Sequence, residues 1–312
     1  MKQRRKALFA SPPYRGINGV MIDIADTGSG KTHRDENFPV ASVLIAPRFR
    51  APIMAFYNFV RAADDISDHP TLTPQEKLDL LDRLDAALMG SGPDEPVAAR
   101  LRETCVERRL DRQHARDLII AFKRDVDYLR YRDWDDLIFY CRYSAMPVGR
   151  FVLDVHGENA GRTWAANDAL CAALQVINHL QDCGKDYRDL DRVYLTQESL
   201  AAHGAEVEML GEARAPAPLL ATIRDLNEKT AGLLDQSRPF ADLIDDVRLA
   251  MEVGAIQALA EKLVARLRVA DPLSENVHAD KFGFALAGTQ GAVAALIRRF
   301  SRPRRATADA AS

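Results

Sequence analysis

Along most of this chain the apolar residues recur at the three- and four-residue steps of an amphipathic helix, and the alternation that a half-buried strand needs is scarce. That pattern restricts the fold more than any other feature, because helices with apolar stripes bury them chiefly against one another. The spacing predicts helices near 51–68, 73–89, 95–108, 111–131, 134–156, 164–187, 216–236, 239–268 and 283–300. Breaking signals separate them: His69-Pro70, Gly90-Ser91-Gly92-Pro93, Gly157, Ala215-Pro216-Ala217-Pro218 and Asp271-Pro272. The expected architecture is a single-domain, all-α bundle over residues 37–300, preceded by an irregular segment 1–36 and followed by a basic flexible tail 301–312.

Composition enters mainly by exclusion. With 312 residues, 47% of them hydrophobic and 28% charged, the chain can bury a substantial core. Its 42 Lys and Arg against 45 Asp and Glu leave a net charge of -3, so no overall field draws it to nucleic acid. Cys105, Cys141, Cys171 and Cys183 are far apart and form no CxxC pair, which suits a reducing cytosol better than a disulfide framework or a zinc site. The basic start Met-Lys-Gln-Arg-Arg is followed by Pro12, Pro13, Arg15 and Gly16 rather than an apolar signal core, and no run reaches the roughly 18–20 apolar residues that span a bilayer. A cytoplasmic protein is therefore expected.

The stretch Ala25-Asp26-Thr27-Gly28-Ser29-Gly30-Lys31-Thr32 resembles a relaxed phosphate-binding loop. Such a loop needs a strand before it and a helix after it. Here a charged run and Pro39 follow, and the chain lacks the alternating β/α pattern of nucleotide-binding enzymes. No nucleotide cofactor is expected.

The chemistry concentrates in two stretches. In Tyr57-Asn58-Phe59-Val60-Arg61-Ala62-Ala63-Asp64-Asp65-Ile66-Ser67-Asp68, Asp64 and Asp68 stand one helical turn apart on one face. Like charges at that spacing repel unless a cation or solvent screens them, so this motif alone reads equally as a solvated helix end or as a carboxylate pair for a hard divalent cation such as Mg²⁺. The second stretch shifts the balance. Asn178, Asp182 and Asp186 recur at four-residue steps along an otherwise apolar helix, with Gln175 one turn before. A polar line on an apolar helix is costly to bury without partners and points to a lined cavity. Two such helices facing each other would hold Mg²⁺ around a diphosphate, and the metal would ease its departure by neutralising the charge that develops on it.

These residues resemble the squalene/phytoene synthase family over nearly everything from Phe38 to Tyr194. The resemblance implies an isoprenoid synthase bundle with a central cavity. It also implies that Asp64, Asp65 and Asp68 form a first aspartate-rich metal motif, and Asp182 and Asp186 a second. Tyr57 and Arg61 match diphosphate-contacting positions, and Phe38 an aromatic position near the reacting chains. Tyr140, within the segment Tyr140-Cys141-Arg142-Tyr143-Ser144-Ala145-Met146-Pro147-Val148-Gly149, matches a further pocket position, as do Gln175, Asn178, Arg192 and Tyr194. Taken singly, the aromatic residues could equally be plain core, and each arginine a surface ion-pair partner. His179 is assigned no role.

Within the family, Asp35-Glu36-Asn37-Phe38-Pro39-Val40-Ala41-Ser42 resembles the bacterial branch of squalene and hopanoid biosynthesis that turns presqualene diphosphate into hydroxysqualene without a hydride donor. Condensation of two prenyl diphosphates, or a non-catalytic assembly role on the same fold, are the other readings. Lys185 departs from the family, which often has an acid before the last aspartate of the second motif. At the end of the chain the uncharged run Phe282–Ile297 is followed by Arg298, Arg299, Arg302, Arg304 and Arg305. It reads either as a last core helix with a solvated tail or as a peripheral contact with the inner face of an anionic membrane.

Overall fold

The computed structural model describes residues 14–15, 21–22, 24–28, 44–278, 291, 293, 295 and 296. Eleven α-helices run through them in chain order: α1 (Pro47–Ser67), α2 (Pro74–Met89), α3 (Pro96–Arg108), α4 (Gln113–Asp127), α5 (Trp134–Ser144), α6 (Met146–His156), α7 (Ala160–Leu190), α8 (Gln197–His203), α9 (Ala217–Ser237), α10 (Phe240–Leu243) and α11 (Val247–Leu267). Among the described residues extended pairing is limited to the two-residue ladder of Tyr14–Arg15 with Met21–Ile22 and one isolated bridge. The all-α expectation holds.

Local chemistry explains most of the helix ends. Proline stands in the first turn of α1, α2, α3, α6 and α9, where its missing N–H leaves no bond unmade. Thr73 and Glu76 close a reciprocal capping box on α2, and Gly90 ends that helix with φ 78°.

Beyond shifts of a few residues at helix ends, four differences from the expected helices stand out. The expected helix 134–156 breaks at Ala145, because Pro147 cannot donate to the carbonyl of Tyr143 and its ring clashes there. The expected helix 239–268 breaks at Ile244. There the Glu158 carboxylate accepts from the N–H of Asp245 and of Asp246, and Asp246 caps the first turn of α11. Helix α4 stops at Asp127 instead of running to 131, because residues 129–132 turn toward the chain after α7. The carbonyls of Leu129, Tyr131 and Arg132 accept from Val193, Gln197 and Glu198. The short α8 is an addition, capped by Thr196.

Helix α7, 31 residues and about 46 Å long at 1.5 Å per residue, is the central member and packs on α6, α9, α11 and α5. One apolar core surrounds it. A second joins α1 to α2, α3 and α4 through Phe59, Ile66, Leu80, Leu84, Leu101 and Leu118. Phe56 of α1 stacks on Phe151 of α6 at 4.0 Å and ties the two halves together. Helices α6 and α7 approach so closely that a Cβ on Gly149 would lie 2.0 Å from Asn167 Oδ1.

Four sequence expectations fall on residues outside this description. Phe38 and Ser29–Thr32 are among them, although Ala25–Thr27 form part of a 3-10 turn in which Thr27 Oγ1 donates to the Ile24 carbonyl. The expected helix 283–300 and the basic tail are the others, apart from the helical residues Gly291, Val293, Ala295 and Leu296. Among the described residues no helix is long and apolar enough to cross a membrane.

Candidate active site

Helix α1 carries Tyr57, Arg61, Asp64 and Asp65 and ends on Asp68, all half-buried while Phe59, Ala63 and Ile66 between them are fully packed. Helix α7 repeats the arrangement: Gln175, Asn178, Asp182 and Asp186 are half-buried along one line, and Val176, Ile177 and Leu180 fill the core behind it. Partial burial of polar side chains backed by a dry core places both stripes on the walls of a depression, as the four-residue spacing predicts.

The two stripes lie within electrostatic reach of one another. Burial, then Asp68 and Asp65, push the Asp64 carboxyl up to about 7 against the opposing pull of Arg61 and Arg192. Burial, then Asp182, push Asp186 up to about 7, and Asp68 of the opposite helix adds to the rise while Lys185 and Arg192 oppose it. The physical link is Arg192, in the turn after α7. Its Nη1 donates to Asp68 Oδ1 at 2.6 Å, its Nη2 to the Ser67 carbonyl at 3.4 Å, and its Nε to the Asp125 carbonyl at 3.1 Å. On α1, Arg61 donates to Asp64 Oδ2 at 2.8 Å and to Asp65 Oδ1 at 2.5 Å.

This donor set fits Mg²⁺. Two carboxylates whose proton affinity rises through burial and, after it, through neighbouring acids are groups whose charge a divalent cation would offset, and all are hard oxygen donors. Among the described residues no three His, Cys, Asp or Glu side chains form a ready-made metal cage. Mg²⁺ seldom needs one, since it commonly takes one or two carboxylates and completes its shell with water and substrate phosphates.

Tyr140 and Tyr194 stand behind the charged rim. Both are buried, and both hydroxyls donate to the Asp125 carboxylate, at 2.8 Å and 3.5 Å. Tyr131 stacks on Tyr194 at 5.4 Å, and His179 stacks on Tyr194 at 3.4 Å between centroids. The His179 Nε2 lies 3.1 Å from Gln175 Nε2, which can only donate, so the imidazole accepts there and is neutral; burial pushes its pKa down to about 3. Lys185 is exposed and pairs with Asp189 at 3.4 Å.

Sequence reasoning overlooked Asp125, Lys77 and His278. Asp125 is 5% exposed, and burial raises its carboxyl to about 6. Its signal was present, because it continues the buried stripe of Leu118 and Ala121 on α4 where an apolar residue is expected. Lys77 Nζ donates to the Ser67 carbonyl at 2.9 Å, and His278 Nε2 stands 3.4 Å from Asp182 Oδ1. Neither has a local signature, since each reaches the site from another element.

Next to the charged depression lies an apolar cavity of about 260 Å³ between α1, α6, α7 and α11, walled by Tyr57, Val60, Leu170, Leu174, Leu249 and Ile256 among others. Tyr57 belongs to both the acidic helix face and this cavity.

A polar rim over an apolar chamber inside a helical bundle is the architecture of the all-α isoprenoid synthases. The chain superimposes on a dehydrosqualene synthase with a TM-score of 0.74 at 23% identity, covering 88% of this chain and 96% of that one. A squalene synthase from Alicyclobacillus acidocaldarius gives a TM-score of 0.65 at 29% identity, covering 78% and 91%. The squalene/phytoene synthase family model matches residues 31–282, and the chain belongs to that family. It is 53% identical to a hydroxysqualene synthase of Rhodopseudomonas palustris over 89% of this chain and 95% of the relative, and 49% identical to one of Zymomonas mobilis over 86% and 92%.

Proposed function

We propose that this enzyme converts presqualene diphosphate into hydroxysqualene with release of diphosphate, in a Mg²⁺-dependent reaction of hopanoid biosynthesis that uses no nicotinamide. The observation that carries the reading is the convergence of Asp68 and Asp186, from helices far apart in sequence, on one depression beside an apolar cavity. Identity of about half to hydroxysqualene synthases over most of the chain supports this branch over the condensing enzymes.

In this reading Asp64, Asp65, Asp68, Asp182 and Asp186 would hold the metal, and the chemistry it would supply is neutralisation of charge on the leaving diphosphate. Arg61 and Arg192, which pair with Asp64, Asp65 and Asp68, would offer their planar guanidinium forks to phosphate oxygens, and Arg192 is anchored beside the site by the carbonyls of Asp125 and Ser67. The hydrocarbon chains occupy the apolar cavity, where bulk water is excluded and a carbocation survives long enough to rearrange. Tyr57 presents its ring at the junction of the two regions, and Gln175 and Asn178 line the polar side. Phe38, by its family position alone, is assigned to the reacting chains in this proposal. The contact with a membrane surface through Phe282–Ile297 and the arginines after it belongs to the same proposal, as a route for an oily product.

The test is incubation of the purified protein with presqualene diphosphate and Mg²⁺ without NADPH. Equal amounts of hydroxysqualene and diphosphate are expected, abolished by EDTA and restored by added Mg²⁺. Turnover of farnesyl diphosphate with none of presqualene diphosphate would overturn the assignment in favour of condensation.

A further inference from the structure

After α11 the chain runs back over α7 as segment 271–278, and each step of its path is fixed by a contact. Asp271 opens it as a turn: its Oδ1 accepts from the N–H of Leu273, and its Oδ2 from the Ser274 hydroxyl and from the N–H of Ala215 before α9. Leu273 then packs on the bare backbone of Gly184, where an added Cβ would lie 2.5 Å from Leu273 Cδ2. Gln181, buried on α7, donates from Nε2 to the Val277 carbonyl at 2.9 Å, and Val277 itself is buried. Arg266 donates to the carbonyls of Asn276 and His278, and Asn276 Oδ1 accepts from the His278 N–H at 3.0 Å. Burying an amide such as Gln181 is costly unless it is hydrogen-bonded, and here the partner of its N–H is this segment.

The outcome of that path is the placement of His278 at the second acidic stripe, its Nε2 3.4 Å from Asp182 Oδ1. On the first stripe the acids are gripped by arginines: Arg61 holds Asp64 and Asp65, and Arg192 holds Asp68. On α7 the nearby cation Lys185 is exposed and pairs with Asp189, so Asp182 is met by a side chain brought in from after α11. Asp64, Asp65, Asp68 and Asp182 thus each meet a protein donor through one carboxylate oxygen.

Resting on the Mg²⁺ reading above, we infer that His278 is a positioning residue for the metal: it fixes the plane of the Asp182 carboxylate through Oδ1, and segment 271–278 is the arm that carries it there. The physical basis is preorganisation. Asp182 is partly exposed, and a carboxylate that turns freely about its side-chain torsions must be ordered by the cation it binds. A carboxylate already held by a hydrogen bond has met that cost on folding, which is why the partners of metal ligands affect affinity without touching the metal. The Nε2–H tautomer of neutral imidazole and the imidazolium both donate in this direction, so the role requires no change of charge. The metal site then draws on three parts of the chain: α1, α7 and the segment after α11.

The experiment measures metal binding directly, without substrate or turnover. Mn²⁺ takes the same hard oxygen ligands as Mg²⁺, and its free concentration is read by electron paramagnetic resonance. Full-length wild type, His278→Ala, His278→Phe and His278→Gln are each titrated with Mn²⁺. Loss of the donor in His278→Ala and His278→Phe is expected to weaken binding about tenfold, the lower end of what removing a hydrogen-bonding partner of a metal ligand costs. His278→Gln is expected to keep most of the wild-type affinity, because the glutamine amide N–H can stand near the place of the imidazole Nε2–H. The phenylalanine and glutamine variants retain side-chain bulk, so they remain readable should the alanine variant not fold. Wild-type affinity in His278→Phe, or a glutamine variant as weak as the phenylalanine one, would overturn the inference. Wild type that takes up no Mn²⁺ would instead overturn the assignment of metal to the acidic stripes, so the two failures are distinct.

Discussion

Replacing Asp125 by Asn should stabilise the protein while impairing it. In the native fold the Asp125 carboxyl is 5% exposed, and burial, opposed only in part by Arg192 and the tyrosine hydroxyls, raises it from 3.8 to about 6. A rise of about 2 units corresponds to roughly 3 kcal/mol. The sign follows from proton counting. Between pH 3.8 and about 6 the native protein keeps a proton that the unfolded chain has released, so stability falls as pH rises through this window. Below the window the penalty is absent; above it the whole amount applies. Asparagine of the same shape carries no charge to desolvate. Its Oδ1 can accept from Tyr140, and its Nδ2 can donate to the oxygen of Tyr194. Urea unfolding in metal-free buffer should therefore find Asp125→Asn more stable than wild type by about 3 kcal/mol at pH 8, with the gap closing toward pH 4. Turnover should fall, because a charge that helps hold Arg192 against Asp68 is gone. Equal midpoints at pH 8, or a gap of the same size at pH 4, would refute the reasoning.

Two further expectations concern packing and the anion grip. Gly149→Ala places a methyl group 2.0 Å from Asn167 Oδ1 and 2.7 Å from Cys171 Sγ, so the α6–α7 contact must open, and a loss of about 2 kcal/mol in urea unfolding is expected. Arg192→Lys keeps the charge but cannot reach Asp68, Ser67 and the Asp125 carbonyl together, and kcat/KM for presqualene diphosphate should drop about a hundredfold with the far-UV spectrum unchanged. Activity within twofold or so of wild type would show that a point charge suffices there.

What the sequence determined by itself is local. Helices declare themselves through the 3.6-residue recurrence of apolar residues, and their ends through short-range chemistry such as the Thr73–Glu76 box and Gly90, although the expected helix 134–156 runs through the break before Pro147. The four-residue spacing of Asp64 with Asp68, and of Asp182 with Asp186, depends only on helix geometry, so each half of the site was legible without knowing where the other lay. Even the buried acid Asp125 and the cap at Asp246 left readable marks, an apolar stripe interrupted and a paired Asp at a helix start.

Tertiary structure decided what touches what. That Arg192 reaches Asp68, that Asp125 accepts from two tyrosines, that Glu158 caps a helix some ninety residues away and that residues 129–132 leave α4 to pair beyond α7 all depend on contacts between distant segments. No periodicity encodes such contacts. A residue's neighbours along one helix follow from the 1.5 Å rise and the 100° turn, whereas its neighbours across the bundle follow from how all the apolar faces pack at once. The depression and its adjoining chamber therefore exist only after the bundle closes, and with them the raised carboxyls of Asp64 and Asp186.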